Sequence, residues 1–184
     1  LVYEGFNQGR YNYVYSSDIN NDGLNGNDLI FVHKSSDIKF ADLKTGTTVI
    51  ATADEQAKAW DAYVAQDPYL SQNVGKFTER YAAKMPWLNQ FDLAINQDIM
   101  KNIGKNKHQL QLSLNIINVG NLINSEWGVR QQLTVSNGAV LRYNNAANTY
   151  NFNAVNSKLP TTSFTNILNT SNVWGMQIGA RYTF

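Results

Sequence analysis

Residues 172–184 restrict the fold of this chain more than any other stretch. Read at every second position, one set is Trp174, Met176, Ile178, Ala180, Tyr182 and Phe184, wholly apolar or aromatic. The other is Val173, Gly175, Gln177, Gly179, Arg181 and Thr183, polar or small apart from Val173. Side chains of an extended chain point alternately to opposite faces, so one face of this strand meets apolar surroundings and the other meets water. Trp174 stands at one end of the apolar face and Tyr182 with Phe184 at the other. A transmembrane barrel strand has this form, an apolar band between two aromatic girdles. At ~3.3 Å per residue the stretch runs about 40 Å. A tilt of about 40° turns that into about 30 Å, the thickness of a bilayer core. The edge strand of a soluble sandwich also alternates, but is usually about half as long.

The same period recurs. Phe91, Leu93, Ile95 and Ile99 share one parity, interrupted by Gln97, against Gln90, Asp92, Asn96 and Asp98. Leu110, Leu112, Leu114 and Ile116 then alternate with Gln109, Gln111, Ser113 and Asn115. Residues 102–107, centred on Gly104, form a tight turn between them, which makes this pair the clearest hairpin of the chain. Residues 1–6 alternate weakly. The expected class is therefore all-β, with strands at about 1–6, 89–101, 107–118 and 173–184. Two connections are long, at about 16–88 and 119–171. Such lengths are uncommon in compact soluble domains, whereas outer-membrane barrels combine short periplasmic turns with long extracellular loops. With the short turn periplasmic, 89–101 runs inward, 107–118 outward and 173–184 inward, ending the chain on the periplasmic side. Four strands are fewer than the eight or more of a barrel, and an open sheet in lipid leaves edge groups unpaired. The chain also begins at Leu1, without Met or a signal sequence. The expectation is a C-terminal portion of a barrel whose other strands precede Leu1.

Composition excludes several classes. The formal net charge is +1, so no basic footprint for nucleic acid is present. With no cysteine, a disulfide framework or thiolate metal site is excluded. No apolar run approaches the length of a membrane helix. His33 and His108 are isolated from any nucleophile motif, and no Gly-x-Ser-x-Gly or phosphate loop occurs. Asp92 and Asp98 share a strand face but lie about 20 Å apart by strand rise, too far for a glycosidase pair. No enzyme is expected.

The long connections carry local signals. Asp18, Asn20 and Asp22, with a turn at Gly23 and Asp28 beyond it, resemble the first half of a calcium loop. The twelfth position is Leu29, where an EF-hand has a bidentate Glu. Two readings stand: Ca2+ on Asp18, Asn20, Asp22 and Asp28, or Asx turns in which these side chains bond their own backbone. Residues 29–32 read as a short apolar strand and 47–51 as a short extended piece. Thr52 with Glu55 forms a capping-box pattern, and Ala53, Ala57, Trp60 and Val64 follow at helical spacing until Asp67-Pro68 stops the helix. Lys76, Arg80 and Lys84 interleave with Phe77 and Tyr81, either for an anionic ligand or lipid head group or as a solvated face. Residues 119–124 read as a helical turn or bend, and 140–143 with 149–152 as a small hairpin.

Several of these motifs carry a family resemblance. Asp18-Ile19-Asn20-Asn21-Asp22-Gly23 with Asn27-Asp28-Leu29-Ile30-Phe31-Val32, then Phe91-Asp92-Leu93 and Gln97-Asp98, form its first part. The more specific part is Asn115-Ile116-Ile117-Asn118-Val119-Gly120-Asn121-Leu122-Ile123-Asn124, Trp127-Gly128 and the closing Ile178-Gly179-Ala180-Arg181-Tyr182-Thr183-Phe184. Together they resemble the C-terminal end of a TonB-dependent outer-membrane receptor of the SusC-like, carboxypeptidase-regulatory-like-domain-containing type. The resemblance covers essentially the whole chain.

It implies a parent barrel of about twenty-two strands with a plugged lumen, importing a scarce nutrient such as a glycan, peptide or chelated metal with energy relayed by TonB. The implied partners are outer-membrane lipid, the N-terminal strands and plug of the parent chain, TonB, the barrel-assembly machinery and a surface lipoprotein lid; nucleic acid is not among them. Trp174, Ile178, Tyr182 and Phe184 match the terminal signal read by the assembly machinery. Asp92, Asn96, Asp98, Gln109, Gln111, Asn115, Gln177 and Arg181 become candidate lumen residues, with Asn96 and Gln111 foremost as substrate contacts; the other reading is a polar network holding barrel and plug. Tyr11, Tyr13, Trp60 and Trp127 are candidate platforms for a sugar or peptide, or else packing and girdle residues. The rival function is a surface barrel with a structural or adhesive role and no transport.

Overall fold

A computed structural model describes residues 1–103 and 106–184, so the tight turn expected around Gly104 lies outside the described residues. The protein is mainly β, with several small sheets, and no closed barrel forms among the described residues. The chain divides into two units, one of Leu1–Gln8, Pro86–Gln131 and Asn166–Phe184, the other of Gly9–Met85 and Gln132–Thr165.

The first unit is built on a four-stranded sheet. Its strands in spatial order are Val2–Asn7, Trp87–Ile103, Asn106–Ile117 and Gly175–Thr183, every neighbour antiparallel. The register aligns like with like. Ile95 stands opposite Leu114 and Leu114 opposite Ile178; Ile99, Leu110 and Tyr182 form a second row, and Leu93, Ile116 and Met176 a third. On the other face Asp98, Gln111 and Arg181 form one row and Asn96, Ser113 and Gly179 another. A one-residue slip of any strand would move its apolar set to the polar face, so these rows hold the register together. At 17 residues Trp87–Ile103 is about 56 Å long, well beyond an ordinary soluble strand. The apolar face is open: Ile178 is 77% exposed and Ile95 50%. The outer edges of Val2–Asn7 and Gly175–Thr183 meet no further strand among the described residues.

Asparagines close one end of this sheet. Asn118 adopts a left-handed conformation (φ 53°), in which Asn is among the better tolerated residues. Its backbone N–H donates to the Asp92 carboxylate at 2.7 Å, and its side-chain amide donates to the Gly128 carbonyl at 2.9 Å. Gly128 has φ +63°, and a Cβ there would lie 2.1 Å from Asn118 Oδ1, so glycine is required twice over. The short helix Val119–Ile123 follows, where a helical turn was expected. Asn121 donates to the carbonyls of Ser125 and Trp127 and accepts from the Trp174 N–H.

The second unit comprises most of the two long connections, and it has a core of its own. Tyr13, Tyr15, Ile30, Val32, Trp60, Leu70, Val140, Leu141 and Phe152 are buried together. The expected hairpin forms between Ala139–Asn144 and Thr149–Phe152, and Val14–Tyr15 adds to it in parallel. Leu43–Thr45 pairs with Thr48–Ala51. The helix Ala53–Gln66 has the full capping box: Thr52 accepts from the Glu55 N–H, and Glu55 accepts from the Thr52 N–H. The expected strand at 29–32 is reduced to isolated bridges, Leu29 with Val14 and Phe31 with Phe77, while Ile30 and Val32 are buried.

Two buried polar side chains tie distant segments of this unit together. Gln56 donates to the Ala41 and Ala51 carbonyls and accepts from Asn151 and the Phe152 N–H. Asp67 accepts from the N–H groups of Tyr69 and Leu70 and from the hydroxyls of Tyr13 and Ser163. Both are fully partnered, which removes most of the cost of burying them.

Candidate functional site

The expected contact residues separate into three environments. Asn96 and Gln111 lie on the polar face of the four-stranded sheet, in adjacent rows, Asn96 opposite Ser113 and Gln111 between Asp98 and Arg181. That face is a continuous strip of amides, hydroxyls and charges, fit to hydrogen-bond a solute or a polar surface. Asp92 differs from its neighbours, since its carboxylate holds the backbone of Asn118.

Tyr11, Tyr13 and Trp60 are core residues, and the expectation that they form a ligand platform is corrected. Tyr13 and Trp60 have no exposed surface. Trp60 stacks on Tyr63, meets Phe152 edge-on at 5.5 Å and donates its indole N–H to the His33 carbonyl at 2.9 Å. Tyr11 donates to the Tyr13 hydroxyl, and Tyr13 to the Asp67 carboxylate. Burial pushes both phenols up, helped by the nearby Asp67 charge, so they stay neutral donors. Spacing alone could not separate these rings from surface platforms, because what buries them comes from residues far along the chain.

Trp127 is open, at 55% exposure, and lines a cavity of about 620 Å³ in the first unit. Tyr3, Trp87, Asn89 and Phe91 line it too, all on the apolar parity of the sheet, with Tyr3 and Phe91 packed ring to ring at 5.0 Å. Trp127 is thus open to a ligand or to a second surface, unlike Tyr11, Tyr13 and Trp60. Trp174, Ile178, Tyr182 and Phe184 are all exposed, and the last three stand in line on the same apolar face, Tyr182 stacked on Phe184 at 5.9 Å. His108 stacks on Tyr182 and hydrogen-bonds its hydroxyl.

The 18–28 loop is a network of Asx turns. Asp18 accepts from the Asp22 and Gly23 N–H groups, Asp22 from the Leu24 N–H and the Asn27 amide, and Asp28 from the Ile19 N–H. Asn20 donates its NH2 group to the Asp22 and Asp28 carboxylates, and its oxygen accepts from the Asp22 N–H. A hard cation needs oxygens converging on one point; here a nitrogen donor lies between the carboxylates, and no group of three or more Asp, Glu, His or Cys side chains is placed to hold a metal among the described residues. The loop therefore does not fit Ca2+. The same hydrogen bonds, first from the Leu24 N–H, hold the Asp22 carboxyl below its usual range.

This loop forms one wall of a second cavity, of about 940 Å³, within the second unit. Tyr15, Phe31, His33, Phe77 and Tyr150 form the rest, with Arg80 at the wall as well. Of these, the sequence singled out Phe77 and Arg80 as part of a basic, aromatic cluster; nothing local marks Phe31, His33 and Tyr150 as wall residues of a cavity, and the Phe31–Phe77 bridge and the 139–152 hairpin bring Phe31 and Tyr150 in. Comparison of the chain with protein-family models, curated proteins and solved structures gives no match.

Proposed function

We propose that this chain is the C-terminal portion of the barrel of a TonB-dependent outer-membrane transporter, importing a scarce nutrient with energy relayed by TonB. The observation that carries this reading is the four-stranded sheet, with one apolar and one polar face, the apolar one uncovered, and a central strand of 17 residues. In water an open row such as Ile95, Leu114 and Ile178 is an aggregation liability. Against lipid the same row is favourable, and the polar rows face a lumen. The outer strands, which meet no further strand among the described residues, fit the same reading, since a sheet in lipid calls for neighbours on both sides. On this reading the Trp87–Ile103 and Gly175–Thr183 strands run toward the periplasm, the long connections are extracellular, and the chain performs no catalysis.

An antibody raised to residues 173–184 and used on fractionated cells tests this. The expected result is a band well above 20.7 kDa in the detergent-extracted outer membrane. A soluble band of that mass overturns the reading.

A further inference from the structure

The cavity of the first unit has a wall of rings. Tyr3, Trp87 and Phe91 stand on one parity of the sheet, and Trp127 joins them from the segment after the short helix Val119–Ile123. All four rings are exposed. Gly5 makes room for two of them: a Cβ there would collide with the Tyr3 hydroxyl and stand 3.1 Å from Trp87 Nε1. The Tyr3 hydroxyl donates to Asn89 Oδ1 at 2.8 Å, and the Tyr3 ring packs on Phe91. This wall is set before any ligand arrives, which reduces the ordering cost of binding.

The polar lining leads to one carboxylate. Gln8 donates to the Pro86 carbonyl and accepts from the Gln131 N–H. Gln131 donates its side-chain amide to Asn166, and Asn166 donates in turn to Glu126 Oε2 at 2.8 Å. These bonds hold Glu126 at the cavity, where it is the one charged lining residue among those described. Arg130, close by in sequence, lies over the Phe6 ring instead, and Phe6 is on the opposite parity of its strand from Tyr3. A carboxylate only accepts, and each of its oxygens has room for more than one donor. A purely apolar occupant would take water from Glu126 without replacing it. A hard metal ion needs several converging oxygens, and one carboxylate does not supply them. An organic cation suits both parts of the lining, because ring faces attract its charge while they pack on its carbon atoms.

We propose that this cavity is a binding site for an organic ammonium group of the trimethylammonium type. The methyl groups pack on Trp87 and Trp127, and Glu126 balances the charge. A volume of about 620 Å³ lies within the ordinary range for a ligand cleft. The sheet rings of the lining stand on the apolar parity, away from the rows of Asn96 and Gln111, so on the uptake reading this ligand is not cargo. The same group is carried by a free small cation and by a lipid head group, and the test separates the two.

The binding does not rest on the uptake reading, so the two fail separately. The test is calorimetric titration of choline into maltoside-purified full-length protein at fixed ionic strength, beside 3,3-dimethylbutanol, its uncharged isostere with carbon in place of nitrogen. Choline should bind at least about tenfold more tightly than the isostere. Trp127→Ala should weaken choline about tenfold, Trp127→Phe less, and Glu126→Gln should weaken it and flatten its salt dependence. Trp127 lies at the surface, so circular dichroism of its variants should match the parent. Repeating the titration in phosphatidylcholine and phosphatidylglycerol nanodiscs assigns the source: suppression by phosphatidylcholine means that the site takes lipid head groups, and equal binding means a free cation. Absence of choline binding overturns the proposal, as does equal binding of the isostere or binding unchanged by both Trp127→Ala and Glu126→Gln.

Discussion

The two units use apolar side chains in opposite ways. In the four-stranded sheet the largest apolar rows are outside: Ile95, Ile99, Ile178 and Tyr182 are all exposed. In the unit of Gly9–Met85 and Gln132–Thr165, tyrosines and a tryptophan that could have been surface groups are inside. The first unit carries its pattern locally, as a period of two along each strand. The second carries little period at all, and its interior is assembled from segments such as Tyr13, Asp67 and Ser163 that meet only after folding. Apolar side chains are therefore placed differently in the two: whole rows of the sheet lie open, whereas the second unit keeps most of its rings inside.

The largest expected effect contrasts the two tryptophans. Trp60→Ala should destabilise the second unit by about 3–5 kcal/mol, as for a buried aromatic replaced by a cavity. Trp127→Ala should stay within about 0.5 kcal/mol, as at other exposed positions. Denaturant midpoints, with limited proteolysis of the 9–85 segment, measure both. Equal losses would erase the distinction between exposed ring and core ring.

Ile178→Arg comes next. If the apolar face lies in lipid, the change should cost about 2–4 kcal/mol near the bilayer midplane. If the face lies in water, it should cost less than about 0.5 kcal/mol. Folding of the full-length protein into phospholipid vesicles across a urea series reads the difference, and a neutral result there would break the contrast between the units.

Thr52→Ala should lower stability by about 1 kcal/mol by removing the acceptor for the Glu55 N–H. Thr52→Ser should restore most of it. A helix indifferent to both would mean that packing of Gln56, Trp60, Tyr63 and Val64 alone holds Ala53–Gln66 in place.

The smallest effect concerns His33. Burial lowers its pKa below the ordinary 6.5, against a weaker opposing pull from Asp37. The unfolded chain then binds a proton below about pH 6.5 that the folded chain refuses until lower pH, so stability is complete above that value and declines as pH falls toward the folded pKa. Denaturant midpoints between about pH 8 and pH 5.5 should fall more for the parent than for His33→Gln. Parallel curves would show that the imidazole is as well solvated folded as unfolded.

Much of the first unit was legible in advance. The alternation in residues 89–101, 107–118 and 173–184 defines which residues share a face, and strands stand at Trp87–Ile103, Asn106–Ile117 and Gly175–Thr183. The capping box at Thr52 and Glu55 was equally plain, because a cap involves residues three apart. The calcium-like spacing at Asp18, Asn20 and Asp22 was legible too, but Asx turns demand the same residue types, and only the folded loop, whose carboxylates accept from its own backbone N–H groups, separates the two.

By itself, then, the sequence determined the faces of the sheet, the ends of the helix and the residue types of the 18–28 loop, all set by neighbours a few positions away. Only the tertiary structure decided that the long connections share a core, that Tyr11, Tyr13 and Trp60 lie within it, and that Phe31, His33, Phe77 and Tyr150 line one cavity. Those outcomes depend on contacts across long sequence separations, as between Gln56 and Phe152 or Tyr13 and Ser163. No local period encodes such pairings, because they follow from how much apolar surface and how many buried polar partners the whole arrangement satisfies at once.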